Sequence, residues 1–302
     1  KLSYFYLFSV QRLGLTLLGN DMKVKSLIKN VIPKRLMPFF RGTFYIATHA
    51  HHFLPDCFTL VPIKELFVIL GGHERTPKGS EELIKKFFKI IEETTEAPLL
   101  VDVGGNSGWF ARLSIRFLRD KKYQLIGYEP LKSQSILLTD ISRKHENITY
   151  NFFAVGEKKG KTEIREFASH GLSSLKDIDK SFQGYDDVYN TEVVNKYEVD
   201  VVTLDDELST LEKDIVLKVD TQGYELEVLK GSINLLESGR IKIILIELMT
   251  IEKYTSASLC SEILNFLSEY NYSLYDVNRG VYEPNGRLSE FDAILIHDSV
   301  EV

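Results

Sequence analysis

Sulfur and indole are scarce in this chain: 302 residues hold two cysteines, three methionines and one tryptophan. Cys57 and Cys260 stand far apart, and neither belongs to a Cys-x-x-Cys pair. That excludes a disulfide framework and a thiolate metal site, and it points to a reducing, cytoplasmic setting. Long apolar runs are missing as well. Leu2 to Leu18 is the nearest approach, but Gln11 and Arg12 interrupt it and it is too short for a membrane span. No small-residue cleavage motif follows it, so the Asn-x-Ser/Thr matches at Asn147 and Asn271 carry little weight. Lys1 rather than Met stands first, so a missing or processed natural N-terminus is expected. Internal repeats and low-complexity tracts are absent.

Positive charge is also in short supply, except at one end. Residues 1–41 carry eight Lys and Arg against the single acid Asp21, a net +7, which leaves −13 on the remainder of a chain whose total is −6. An acidic body argues against a nucleic-acid substrate, because phosphate backbones demand a basic track. Two readings of the basic segment stay open: an amphipathic stretch resting on a membrane surface or partner, or a helix covering part of the domain's own core.

What is present in strength is the stretch Leu99 to Gly108, Leu-Leu-Val-Asp-Val-Gly-Gly-Asn-Ser-Gly. Its apolar start reads as a buried parallel strand. A glycine-dense turn follows, then a helical stripe of Phe110, Leu113 and Phe117. Strand, glycine turn and helix together present backbone N–H groups to a nucleotide-like cofactor. Gly104, Gly105 and Gly108 permit positive φ and lack Cβ atoms that would block the approach. A second strand, Tyr123 to Tyr128, ends at Glu129, where a carboxylate accepts hydrogen bonds from both hydroxyls of an adenosine ribose.

Taken in order, residues 1–41 read as mostly helical, and residues 43–70 hold β-prone clusters broken by Pro55 and Pro62. Together residues 1–79 form an expected N-terminal cap, with the main domain over residues 80–302. Ser80 opens a helix with Leu83, Phe87, Ile90 and Ile91 along one side. Strands are expected near 99–103, 123–129, 148–154, 215–220 and 242–247, with helices between them over Ser133–Arg143 and Tyr224–Leu236. Two last strands, Tyr272–Val277 and Phe291–His297, read as an antiparallel hairpin at the sheet edge. The expected fold is α/β: a doubly wound, Rossmann-like sheet, mostly parallel, closed by that hairpin. Residues 157–200 interrupt the alternation with strands at Lys161–Phe167 and Tyr197–Thr203, a loop at 171–175, and a polar stretch holding Tyr185 and Tyr189. A lid over the substrate pocket is the expected role of this insertion.

Ile215 to Gly231 carries the chemistry-bearing groups. Strand period two puts Lys218 and Asp220 on one face, Asp220 at the strand's C-terminal mouth, where open α/β sheets bind ligands. A Lys inside a buried strand needs a partner, and Asp220 or Glu225 would supply one. Glu247 closes the fifth strand at the same edge.

Val-Asp-Val-Gly-Gly-Asn-Ser-Gly, Tyr-Glu-Pro, Asn-x-x-Ala-Val-Gly at 151–156, Lys-Val-Asp-x-x-Gly-x-Glu, Val-Thr-Leu-Asp-Asp and Ile-Glu-Leu follow one another in order. In this combination the chain, over roughly residues 80–297, resembles the FkbM family of class I S-adenosylmethionine-dependent methyltransferases. The resemblance implies methyl transfer from S-adenosylmethionine, commonly to an oxygen of a sugar, polyketide or other metabolite. By position it implies that Asp102, Gly104, Gly105, Asn106 and Gly108 line the methionine part of the cofactor, that Glu129 holds the ribose, and that Ala154 and Val155 border the adenine. Asp220 would face the methionine end and the acceptor. Asn106 stands where many class I methyltransferases have glycine, and Gly105 where this family more often has Ala.

An alcohol is a poor nucleophile near neutral pH and needs a general base within hydrogen-bond reach. Asp220, Glu225 and Glu247 are the candidates, Asp220 or Glu247 foremost, with Lys218 stabilising charge or setting a neighbour's proton affinity. His49, His51, His52 and Cys57 have no recognisable metal-ligand spacing, so no metal is expected. His73 and Glu74 follow the Gly71-Gly72 turn and would help cover the cofactor or cap a helix. A small-molecule or glycan acceptor is the expected partner. The rival functions are methyl transfer to nitrogen on the same fold and a non-catalytic, cofactor-binding scaffold. A nicotinamide enzyme is disfavoured, because no second catalytic constellation follows the first half of the sheet.

Overall fold

The computed structural model describes residues 80–179, 182, 190–283 and 285–302. The expected cap over 1–79, with its basic segment, histidine cluster and Cys57, lies outside these residues, as do His73, Glu74, Tyr185 and Tyr189.

The described chain opens with helix α1 (Ser80–Thr94), whose Leu83, Ile84, Phe87, Phe88, Ile90 and Ile91 are buried, a stripe repeating at helical spacing. Strand β1 (Leu99–Val103) is buried along its whole length, as a central parallel strand must be. It leads into α2 (Trp109–Phe117), β2 (Gln124–Tyr128), a 3-10 turn at Lys132–Gln134, α3 (Ser135–Lys144) and β3 (Ile148–Asn151). After β4 (Ala154–Val155), β5 (Gly160–Phe167) and β6 (Val193–Val202) come α4 (Leu204–Leu208), β7 (Ile215–Val219), α5 (Glu225–Lys230), α6 (Ile233–Glu237) and β8 (Ile241–Met249). Helix α7 (Cys260–Ser268) precedes β9 (Tyr272–Val277), β10 (Val281–Tyr282) and β11 (Leu288–His297).

The main sheet runs β10-β11-β8-β7-β1-β2-β3, with β9 also on β11. Strands β3, β2, β1, β7 and β8 pair in parallel, and β11 lies antiparallel to both β8 and β9. This is the mixed α/β sheet expected, with its antiparallel closing pair. Side chains alternate across it. Leu99, Val101, Leu217, Ile244 and Ile246 pack with Leu204, Val228, Leu236 and Ile263 from α4 to α7. Leu100, Val216, Ile243 and Ile294 pack with α1, α2 and α3, including a cluster in which Phe88 stacks on Phe110 and Phe117 at 5.9 and 5.0 Å. The chain reverses between β1 and β7, so the C-terminal ends of these two strands flank a crevice.

Three expectations need correction. The strand expected over 148–154 breaks at Phe152-Phe153: β3 belongs to the main sheet, whereas β4 pairs with β6 in a separate sheet of order β4-β6-β5. Much of the 157–200 insertion is therefore sheet, with Ser174 of its loop bonded to Arg165 of β5. The helix expected over Tyr224–Leu236 is two helices, because the chain turns at Gly231-Ser232; a Cβ at 231 would fall 2.1 Å from the Gly156 carbonyl oxygen. Finally, Gly105 does not have positive φ, although Gly104 and Gly108 do, both at 78°.

Gly104 is the tightest point of the frame. A Cβ there would stand 1.8 Å from the carbonyl oxygen of Asp220, at the end of the neighbouring strand. Gly104→Ala combines left-handed strain with a backbone clash, and we expect it to lower stability by about 2–4 kcal/mol. The urea midpoint of the purified variant checks this; an unchanged midpoint contradicts the packing described.

Candidate active site

The turn after β1 is fastened from both sides. The amides of Gly104 and Gly105 donate to the Tyr128 carbonyl at 3.0 and 3.2 Å, which ties the turn to the end of β2. On the other side, the Lys218 ammonium reaches up from β7 to the carbonyl oxygens of Gly104 at 2.5 Å and Val103 at 3.3 Å. Lys218 Nζ also stands 3.2 Å from Asp102 Oδ1 and 3.7 Å from Asp220 Oδ2. Burial works against this charge, but Asp102 and Asp220 outweigh it and hold the ammonium's proton more firmly than in water. Lys218 is thus a fixed cation. Its nearer partner is Asp102, and Glu225 is not one.

Asp102 is fully buried beneath the turn, where its Oδ2 accepts the Tyr150 hydroxyl at 2.7 Å. It supports the turn from below and does not line the cleft; nor do Gly105 and Gly108. Glu225 is corrected in the same way. Its Oε1 accepts from the Thr221 amide at 2.9 Å and the Thr221 hydroxyl at 3.1 Å, and both its oxygens accept from the Gly223 amide. It braces the Thr221–Gly223 turn that leads into its own helix and does not line the crevice.

The crevice is lined by Gly104, Asn106, Glu129, Leu131, Ala154, Val155, Asp220 and Glu247, together with residues the sequence reading passed over. Ile164, Gly171, Ser173, Ser174 and Leu175 come from the insertion, so one wall belongs to the second sheet and its loop. Glu129 is buried at the end of β2. Its Oε2 accepts the Asn106 amide at 2.6 Å and its Oε1 the Leu131 amide at 2.7 Å. Each oxygen keeps acceptor capacity beyond that one bond. Burial pushes the Glu129 carboxyl up to about 7 against the pull of those two amides and of Lys218.

At the other end of the crevice, Gln222 donates through Nε2 to Asp220 Oδ1 at 2.9 Å and to Glu247 Oε2 at 2.7 Å. Gln222 fell on an unassigned position of the Lys-Val-Asp-x-x-Gly motif, so only the fold reveals it. Burial first, then Glu290, Asp220 and Asp292, raise the Glu247 carboxyl well above the ordinary range. Asp292 lies opposite Glu247 across the β8–β11 ladder and is pushed by burial up to about 7, although Asn278 donates to it. Among the described residues no Lys, Arg or His lines the crevice, and no cluster of His, Cys, Asp or Glu has the arrangement of a metal site.

Residues 102–274 match the Methyltransferase FkbM domain. The chain belongs to the FkbM methyltransferase family. The family match covers Asp102, Gly104, Asn106, Glu129, Ala154, Val155, Lys218, Asp220, Gln222 and Glu247. Among solved structures, the FkbM chain is similar to a methyltransferase FkbM from Methylobacillus flagellatus KT, at 14% identity and a TM-score of 0.44, covering 87% of this chain and 59% of that one. It thus spans under two thirds of that relative's length. A precorrin-6y C5,15-methyltransferase from Geobacter metallireducens GS-15 is similar at 11% identity and a TM-score of 0.39, covering 74% and 91%. M. capricolum TrmK, determined with S-adenosyl-homocysteine, is similar at 10% identity and a TM-score of 0.33, covering 70% and 68%. No curated protein matches the sequence. No helix among the described residues is long and apolar enough to cross a membrane.

The raised carboxyls have a consequence for stability. A carboxyl that binds its proton more tightly when folded contributes stability below the ordinary carboxylate range and loses it as pH rises through its folded value. With Glu129 and Asp292 at about 7, the cofactor-free protein is expected to lose stability from about pH 5 to about pH 7.5. His297, held below its ordinary value by burial and Lys242, opposes this but is common to all variants. Urea midpoints across that range should therefore fall less steeply in Glu129→Gln and in Asp292→Asn than in the parent; equal slopes contradict the assignment.

Proposed function

We propose that this chain transfers a methyl group from S-adenosylmethionine to a hydroxyl of a sugar, glycan or other small hydroxylated metabolite. The observation that carries the reading is one crevice with two unlike ends. At one end a buried carboxylate with spare acceptor capacity, Glu129, stands beside apolar Leu131, Ala154 and Val155; at the other lie Asp220, Glu247 and Gln222. The first end fits an adenosine: Glu129 takes the ribose hydroxyls, and Ala154, Val155 and Leu131 flank the base. When bound, the cofactor supplies an activated methyl group on a sulfonium cation, which the acidic surroundings of Asp220 and Glu247 favour.

The protein's own task is alignment and proton removal. Glu247, whose proton affinity burial and the neighbouring carboxyls raise well above that of an ordinary carboxylate, is suited to take the acceptor's hydroxyl proton. Asp220, with 43% of its side chain exposed, is suited to accept a hydrogen bond from the acceptor and orient it. Lys218 keeps the turn and Asp220 in place and takes no part in proton transfer, since its proton is held. A crevice without a basic lining disfavours phosphate-rich acceptors, in line with the acidic body of the chain. The same carboxylates would also hold an amine, so nitrogen acceptors belong in the test.

Calorimetric titration with S-adenosylmethionine and, separately, NAD tests the cofactor half. We expect binding of the first alone, weakened roughly 10- to 100-fold in Glu129→Ala through lost charge-assisted hydrogen bonds. Absence of S-adenosylmethionine binding overturns the enzyme reading and the cofactor-binding scaffold alike. Labelled-methyl transfer to a panel of sugars, polyols and amino sugars then tests the acceptor half, and Glu247→Gln is expected to lower kcat about 10²- to 10⁴-fold with cofactor affinity retained.

A further inference from the structure

Gln222 is held more completely than any other side chain in the crevice. Its Nε2 carries two hydrogens, and the structure gives one carboxylate to each: Asp220 Oδ1 at 2.9 Å and Glu247 Oε2 at 2.7 Å. Its Oε1 accepts from the hydroxyl of Tyr254, a fully buried residue, at 2.9 Å. The same hydroxyl lies 3.1 Å from the Leu172 carbonyl of the insertion. The backbone carbonyl of Gln222 accepts the Ser174 hydroxyl at 2.7 Å. The two carboxylates set the orientation of the amide, because a flipped group would turn its oxygen against both of them.

The backbone argues in the same direction. Gln222 has φ 56°, a left-handed conformation that Gly or Asn adopts at less cost. The turn does not need this side chain, since Glu225 already caps Thr221 and Gly223. A strained glutamine whose side chain is spent on two carboxylates and one hydroxyl marks a place where position matters more than local ease.

We propose that Gln222 is a positioning residue, whose amide, oriented by Tyr254, holds the Asp220 and Glu247 carboxylates side by side at the floor of the crevice. Its catalytic meaning rests on the methyltransferase reading above; the positioning itself does not. Two carboxylates so close repel, and a neutral donor shared between them offsets that repulsion without removing either proton acceptor. It does so in a strongly acidic setting. Glu247 is faced by Asp220 from the end of β7, Glu225 from α5, and Asp292 and Glu290 from β11. Of the nearby cations, Lys218 stands 3.2 Å from Asp102 and reaches Asp220 Oδ2 at the longer distance of 3.7 Å, and Lys253 pairs with Glu290. The clamp also reaches Leu172 and Ser174. The insertion that walls the crevice is hydrogen-bonded to the same clamp, so its seating and the carboxylate spacing are set together.

The test uses the cofactor-free protein with ¹³C-labelled Asp and Glu carboxyls, followed by NMR through a pH titration. Gln222→Gly removes the amide and relieves the backbone, so the variant is expected to fold with an unfolding midpoint at or above the parent's. Loss of a donor to the ionised form should move the Glu247 midpoint upward by about half a pH unit or more. Tyr254→Phe keeps the amide but frees its orientation, and a smaller upward move is expected. Gln222→Asn keeps the backbone preference and an amide too short to bridge, so it should resemble Gln222→Gly. An unchanged or lowered Glu247 midpoint in a folded Gln222→Gly overturns the proposal. If Gln222→Gly does not fold, Tyr254→Phe and Gln222→Asn decide on the same criterion. A negative calorimetric result with S-adenosylmethionine would remove the enzyme reading while leaving this titration intact, which separates the two failures.

Discussion

The site depends on one ammonium group out of water. Lys218 sits in the middle of a parallel strand, where an unpaired charge would cost several kcal/mol. Its position is tolerable because four oxygens converge on it: the carbonyls of Val103 and Gly104 and the Asp102 carboxylate, all from β1 and its turn, and, more distantly, Asp220 just past the end of its own strand. These contacts join β1, β7 and the glycine turn at the switch point of the sheet. The cation neutralises part of the acidity that Glu129, Asp220 and Glu247 would otherwise bring together. It also donates to the Gly104 carbonyl oxygen in the sharp turn, whereas the Val103 carbonyl accepts the Asp220 amide as well. With the turn fixed, Gly104 can lie against the end of β7, and Asn106 can offer its amide to Glu129.

Most of the architecture was legible because parallel strands buried on both faces announce themselves. Leu99–Val103, Ile215–Val219 and Ile241–Met249 are apolar runs bounded by turn residues, and the sheet places them side by side. What escaped was governed by tertiary contact. Nothing local in 148–154 says that the chain changes sheets at Phe152-Phe153, because β4 is defined by its partner β6 and not by its own two residues. Gly231 interrupts an apparently continuous amphipathic stripe only because the Gly156 carbonyl presses against it. Helical periodicity is blind to such a neighbour.

The site shows the same division. Glu129 and Asp220 directly follow β2 and β7, whereas Glu247, expected to close its strand, lies inside β8, which runs on to Met249; all three nonetheless line one crevice, as strand parity and sheet topology suggest. Asp102, Glu225 and Gln222 could not be sorted that way. Asp102 and Glu225 are carboxylates in the right segments, yet one points beneath the turn to Tyr150 and Lys218, and the other curls back onto its own helix start. Gln222 carries no charge and belongs to no chemical pattern that spacing would flag. Its importance arises from three partners distant in sequence: Glu247, Tyr254 and, through Ser174, the insertion.

The break after β3 has a further meaning. The crevice is bounded on one side by the main sheet and on the other by a small sheet with its own buried cluster, including Leu131, Ala154, Ile164, Val199 and Val201. Ile164 and Leu175 reach the crevice from that second body, while Lys218, Asp102 and the glycine turn belong to the first. Sequence drift in β5, β6 and the loop between them can therefore reshape one wall without disturbing the packing that holds the turn. Such a layout lets one wall of the crevice change shape while the half that holds the glycine turn keeps its own packing.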